Sequence, residues 1–416
     1  MITPSFSLTA TERVLPSLAL DFTTASLDSR ITFTRTGATA TRVNASGFIE
    51  SVAADTPRFD FDPITLACKG LLIEESRSNR IGYSNGFDLA FWGKLRASVS
   101  GGAITSPSGT LSAYKLIEDE SVSNSHVTYV LSTGSIGAIT IGNTYTFSIF
   151  LRAGERTQVG ISADFANSNL GGIVIFDLSN GTIVSGSNGT IKPAGEGFYR
   201  CSVTNVATGT TARPGILLAL NGSTSYTGDG SSGAYIWGAQ FEAGAFATSY
   251  IPTSGSAVTR NADVATMTGT NFSDWFNPTE GTFALDFSPI AATNDSRFLT
   301  ADSGSAATRL MLWGSSGSIN YEVRDATVYQ AILGVSGTFV ANTNIKAVAA
   351  YKSNSFALGV NADPLATDDS GTVPSVSQLI IGGASGTANK ANSHIQKINY
   401  YPQRLVNNEV LAFSKG

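Results

Sequence analysis

Few side chains in this sequence could do chemistry, and their spacing narrows what that chemistry could be. Glycoside hydrolysis needs two carboxylates about 5–10 Å apart. Three pairs are close enough along the chain to be considered: Asp60 with Asp62, Glu118 with Glu120, and Asp368 with Asp369. In Pro57-Arg58-Phe59-Asp60-Phe61-Asp62-Pro63 a period of two sets the rings on one face and both carboxylates on the other. Such a pair could be catalytic or hold a cation, but a solvated strand face ending in an Asp-Pro turn explains the same pattern more simply. None of the three pairs sits in a catalytic strand pattern such as ExDxxE. The two histidines, His126 and His394, each lie inside a strand-like run. That argues against histidine acid–base chemistry and against a multi-histidine metal centre.

Gly228-Asp229-Gly230-Ser231-Ser232-Gly233 has GxGxxG spacing, but a dinucleotide fingerprint follows a strand and opens a helix. Here the segment precedes the strand-like Ala234 to Trp237 and reads as a turn. No GxSxG elbow, HExxH, EF-hand loop or Walker A sequence is present. The chain is therefore expected not to be an enzyme, with no catalytic residue and no cofactor; a structural cation is not indicated. Cys68 and Cys201 fit neither a disulfide framework nor a CxxC metal motif. They read as buried reduced thiols, with a disulfide between them left open.

The remaining functional signal is aromatic, since Phe, Trp and Tyr make up 10% of the chain. Aromatic rings stack on the apolar faces of sugars while neighbouring polar groups hydrogen-bond the hydroxyls. Most of these rings must be core. The preferred exposed set is Trp313, Tyr321 and Tyr329, beside Glu322 and Arg324.

The elements that would position such groups are strands. Charged residues are only 14% of the chain, glycine is frequent at 43 residues, and the net charge is −5. High Ser/Thr/Gly content with few helix formers describes an all-β protein, and the absence of a basic balance argues against nucleic acid. The longest apolar runs fall far short of a membrane span, and residues 1–20 show no secretory leader pattern. Strand-like runs between turn signals, such as Thr144 to Ala153, recur from residue 81 to 254 as in a jelly roll. They recur again from 264 to 416 with sandwich-like spacing. Short helical turns are expected at Ser273 to Phe276 and at Leu405 to Leu411, the latter capped by Asn407 or Asn408. Residues 1–80, broken by prolines, read as an N-terminal attachment segment with short strands. Between the two sandwiches lies a seam, Gly233 to Val264. Its strand-like first half closes the jelly roll, and its Tyr250-Ile251-Pro252 half forms a semi-rigid joint that sets the angle between two binding surfaces.

Three strings give this organisation a resemblance. They are Pro57 to Pro63 leading into Gly70-Leu71-Leu72-Ile73-Glu74-Glu75-Ser76-Arg77-Ser78-Asn79, then Tyr235 to Gly244 continuing through Ser249-Tyr250-Ile251-Pro252-Thr253 to Thr259-Arg260, and His394 to Leu405. Together the sequence resembles tailed-bacteriophage tail-fibre or head-spike virion proteins, in which a carbohydrate-binding jelly roll precedes a concanavalin-like (laminin-G-like) domain. The resemblance implies assembly in the host cytoplasm, residence in the virion, contact with other virion proteins through residues 1–80, a homotrimer, and binding of host surface polysaccharide. It transfers no ligand residues. A polysaccharide depolymerase or glycan esterase is the alternative, and a purely structural decoration protein is the third reading.

Overall fold

The computed structural model describes residues 15–38 and 40–415. The chain is an all-β protein of two antiparallel sandwiches, as its composition and spacing imply. In the first, one sheet runs Gly189–Pro193, Tyr199–Val206, Thr144–Ala153, Gly233–Ala243, Leu111–Glu118, Ala97–Thr105 in spatial order. The facing sheet runs Thr182–Ser185, Val174–Asp177, Gln158–Ser162, Gly215–Ala219, Val127–Val130, Trp92–Leu95. Alternation explains the packing: Phe147, Ile149 and Leu151 of Thr144–Ala153 point into the core between the sheets, against Val159, Ile161, Ile236 and Phe241. The opposite face of the same strand is buried too. Phe150 packs there with Trp237 and Tyr250, because the chain after Ala243 folds back over it.

The second sandwich is assembled from both ends of the chain. One sheet runs Ala366–Asp368, Phe356–Val360, Ile345–Lys352, Glu280–Pro289, Ser393–Tyr401, Cys68–Ile73, Phe59–Phe61, with Leu18–Asp21 also on Ser393–Tyr401. The other runs Thr32–Thr34, Val264–Thr268, Gln378–Ile381, Ser296–Asp302, Arg309–Ser315, Ser318–Asp325, Val328–Ser336. Residues 1–80 are thus not a separate segment over their described part. Leu18 pairs with Tyr400, Phe33 with Ala265 and Leu71 with Ile395. Leu18, Leu20, Phe33, Leu71 and Ile73 join the core that holds Phe283, Phe287 and Ile398. A strand face of this apolar content cannot stay in water when a matching sheet edge is open, since each such side chain contributes about 1.5–3 kcal/mol on burial.

The first sandwich is therefore inserted into the second. The chain leaves through Arg77–Asn79 and returns through Val258–Arg260, and these two strands pair with each other. Beside that ribbon, Asn79 ties the seam together. Its Nδ2 donates to Ala239 O at 3.1 Å and Ile251 O at 2.9 Å, and its Oδ1 accepts from Phe241 N at 3.1 Å. The helices are minor and shifted from expectation, at Thr270–Ser273 and Asn407–Phe413. Neither Asn407 nor Asn408 is the cap of the last helix: Glu409 turns back and its Oε2 accepts the Val406 N–H at 3.1 Å.

Under the seam lies a buried ion network drawn from the two stretches that flank the inserted sandwich, residues 35–74 and 260–263. Asp263 faces Arg35 at 3.1 Å and Arg58 closely, Glu74 faces Arg58 at 2.8 Å and Arg260 at 3.5 Å, and all five side chains are sealed from solvent. Burial pushes the Glu74 carboxyl up, but Arg260, Arg58 and the Ser249 hydrogen bonds outweigh it and hold the group well below the usual carboxylate range.

Candidate binding cleft between the sandwiches

A cleft of about 910 Å³ opens where the two sandwiches and the seam meet, a volume suited to a small ligand or a short oligosaccharide. Its jelly-roll wall follows from alternation. In Tyr199–Val206, Cys201 and Val203 enter the core, so Arg200, Ser202 and Thr204 stand on the outer face, beside Thr190 and Lys192 of the paired strand. The opposite wall holds Asp60, Phe61 and Lys69 with His394, and the seam supplies Phe246, Thr248 and Tyr250. Loops near Ser288 and Asn342 close the end, where Lys192 Nζ donates to Asn342 Oδ1 across the gap at 2.7 Å.

Two groupings in the cleft have chemical content. The first joins His394 Nε2 to Asp60 Oδ2 at 2.8 Å, while Asp60 Oδ1 accepts Val43 N–H at 2.8 Å. Burial lowers the His394 pKa more than Asp60 raises it, which leaves the imidazole neutral. Burial pushes Asp60 up, but His394, Lys69 and the Val43 N–H outweigh it and keep it a carboxylate. The neutral ring donates Nε2–H to that carboxylate and keeps Nδ1 as an acceptor. The second grouping is cationic: Lys69, Lys192 and Arg200. Arg200 lies over the Phe150 ring at 5.2 Å and donates to Thr248 O at 2.6 Å and Ser148 Oγ at 3.1 Å. Its Nε is buried with no partner among the described residues. The Lys192 side chain is exposed at the cleft mouth, and partial desolvation by the surrounding walls, then Lys69 and Arg200, pull its ammonium down to about 8.

The expected ligand set is not assembled. Tyr321 points into the core of the second sandwich with 1% of its surface exposed, because Ile319, Tyr321 and Val323 share the inward face. Glu322 and Arg324 lie on the other face. Glu322 is buried against Arg309 at 2.9 Å, and Arg324 sits over the Tyr329 ring at 5.1 Å. Tyr329 is 53% exposed. Trp313 is half-buried beside Asn320, four residues from Arg324 along the strand and so about 13 Å away. None of these five lines the cleft.

The carboxylate pairs part company as well. Asp62 Oδ1 accepts Ile64 and Thr65 N–H in the turn, at 3.0 and 2.9 Å, whereas Asp60 enters the cleft. Glu118 is buried with Arg156 and Tyr226, Glu120 is exposed, and Asp368 caps a turn to Ser370. Asp229 of the GxGxxG segment accepts Ser231 and Ser232 N–H, as a turn does. Cys68 and Cys201 are free thiols in different sandwiches, and burial pushes the Cys201 thiol up.

No family model and no curated protein matches the chain. Solved structures similar to part of it include a sialidase CBM40, a sialidase and a neurotoxin receptor-binding domain. The CBM40 of the Ruminococcus gnavus IT-sialidase is 15% identical over 33% of this chain and 84% of that chain, with a TM-score of 0.30. The NanB sialidase of Streptococcus pneumoniae is 13% identical over 35% of this chain and 26% of that one, at 0.31. The receptor-binding domain of botulinum neurotoxin mosaic serotype C/D is 12% identical over 37% and 40%, at 0.29. The expectation that the chain is not an enzyme is corrected here. Among the similar chains is an enzyme, the NanB sialidase, 26% of which is matched. Within this chain, one of the two histidines stands beside a carboxylate in the cleft, as the Asp60–His394 pair. At these identities the likeness is one of β-sandwich architecture, and no ligand or reaction is transferred from it.

Proposed function

We propose that the protein binds host surface glycans in the junction cleft, as a structural adhesin of a tailed-phage virion. The observation that supports this is the cleft itself: a sugar-sized recess lined by the side chains of Phe61 and Phe246 and by hydroxyl and amide groups at Thr190, Ser202, Thr204 and Asn344. That mixture suits stacking and hydroxyl recognition. The virion role rests on the three sequence strings. In this reading the protein resides in the virion after assembly in the host cytoplasm. It contacts other virion proteins through residues 1–80, and it multiplies a weak site by homotrimeric display. The test is an array of bacterial surface polysaccharides probed with the full chain and with Phe246→Ala. Binding that the variant loses supports the reading, and absence of binding to every polysaccharide overturns it.

The Asp60–His394 pair favours one second reading, a glycan hydrolase or esterase acting in the same cleft with the pair as proton acceptor. Release of reducing ends or acetate by the full chain, lost in His394→Gln, distinguishes it from binding alone.

A further inference from the structure

We propose that the cleft selects anionic glycans, with the acidic group of the sugar (carboxylate, sulfate or phosphate) held by Lys69, Lys192 and Arg200. The inference rests on the glycan reading above and deepens it. The argument is one of commitment. Every carboxylate near these cations already has its own partners. Asp60 is bound to His394 and Val43 N–H, and Asp62 to its turn amides. Glu74 belongs to the joint network and accepts Ser249 N–H and Oγ–H. Glu242 accepts Thr248 N–H at 3.0 Å and the Thr248 hydroxyl at 2.5 Å.

The cations, by contrast, have only neutral acceptors or none. Lys192 donates to the Asn342 amide oxygen, and Arg200 to a carbonyl and a hydroxyl. Among the described residues Lys69 makes no ion pair within 4.0 Å, and the Arg200 Nε has no acceptor. The buried arginines Arg35, Arg58, Arg260 and Arg309 all face carboxylates. The three cations raise a positive potential in the cleft, and Lys69 and Arg200 both repel Lys192, so an anion between them would relieve that repulsion. Lys192 and Arg200 are register partners on adjacent strands, so their side chains stand side by side on one face. Lys69 approaches from the other sandwich. An anion between them would gain charge-assisted hydrogen bonds that bridge both walls. A sugar ring provides the neutral remainder that the Phe61 and Phe246 side of the cleft suits, which a bare anion does not.

The experiment titrates the full chain with four oligosaccharides: tetragalacturonate, a carrageenan tetrasaccharide bearing sulfate only, a phosphorylated maltotetraose and neutral maltotetraose. The acidic probes are expected to bind about tenfold or more tightly than the neutral one, and their ranking identifies the acidic group. Lys69→Ala/Lys192→Ala is expected to lose about tenfold on the best acidic probe. Lys352→Ala/Lys397→Ala removes the same charge from surface pairs away from the cleft and is expected to change it less than about twofold. Arg200→Lys guards against misfolding, as it keeps the charge and removes the fork. Equal affinity for neutral and acidic probes, or an unaffected double cleft variant, overturns the anion selectivity while leaving glycan binding standing. Absence of binding to all four probes and to the polysaccharide array overturns the glycan reading itself. Equal binding of single-stranded DNA would show a general anion site and also overturn the proposal.

Discussion

Replacing Asp263 by alanine should be the most damaging single change at the joint. Its two oxygens face the Arg35 and Arg58 guanidiniums, and Oδ2 also accepts the Glu74 N–H at 2.9 Å. With Asp263 gone, the buried Arg58 and Arg260 face Glu74 alone, and the buried Arg35 keeps only the carbonyls of Val52, Ala53 and Thr56. Removing one partner of a buried pair costs about 3–5 kcal/mol, because the charge left behind stays desolvated. For a folding unit of about 150–250 residues, 1 kcal/mol moves Tm by roughly 2–4 °C, so a drop of about 6–20 °C is expected. Calorimetry is the assay, because it resolves whether the two sandwiches melt together. Asp263 immediately precedes Val264–Thr268 and holds Arg35 and Arg58 within the second sandwich, so the second sandwich should melt first in the variant. Asp28→Ala is the control. Asp28 pairs with Arg30 at 2.8 Å on a partly exposed surface, where such pairs are worth at most about 1 kcal/mol. A Tm for Asp263→Ala within 2 °C of the Asp28→Ala value would refute the claim that the network holds the joint.

The same network sets the acid response. Glu74 has its folded pKa depressed below its ordinary 4.5, so its contribution is complete above that value and is lost as pH falls below it; Tm should therefore decline below about pH 4.5 in the native chain and less steeply in Glu74→Gln. In the cleft, Lys192 is lowered to about 8, so affinity for tetragalacturonate should fall as pH rises through 8, and Lys192→Arg should remove that fall, as pH titrations of binding would show. Trp313→Ala and Tyr329→Ala should leave glycan affinity within twofold, since neither residue lines the cleft; a tenfold loss in either would move the site to the outer face of the second sandwich.

What could be read from the sequence follows the range over which each signal acts. Strand periodicity is local, so Thr144 to Ala153 and the runs either side of the seam emerge directly from alternation. The same alternation marks Arg200, Ser202 and Thr204 as one face, and that was the signal available for the cleft wall. Choosing Tyr321 as a ligand residue overlooked its own register, because Ile319 and Val323 on its side are both apolar and carry it inward. Other features depend on pairings that no local pattern encodes. Asp60 and His394 are 334 residues apart, and Arg35 and Asp263 are 228 apart. The inserted topology is of this kind too. Leu18 to Asp21 fell within a segment read as attachment, because its partner strand lies near the other end of the chain.

The joint and the cleft are one construction, and this decides how the site behaves. Glu74 contributes to the buried network through Arg58 and Arg260, yet it also lines the cleft and binds Ser249, whose neighbours Thr248 and Tyr250 form the cleft's seam wall. Tyr250 in turn packs on Phe150 and Trp237 of the jelly roll, and its hydroxyl lies 2.7 Å from Ser84 Oγ. The wall that carries Arg200 is thereby tied to the wall that carries Lys69 through side chains with no solvent on either side. A hinge would need several of these buried polar contacts to break together, each costing about 1–3 kcal/mol or more when left unsatisfied. The gap between the cations is accordingly set before a ligand arrives, which reduces the ordering cost of binding. Loosening the joint by Asp263→Ala at a temperature where the chain is still folded should then weaken glycan binding from a distance, and titration calorimetry should show it as a larger unfavourable binding entropy. Unchanged affinity and entropy in that folded variant would mean the walls keep their spacing without the network.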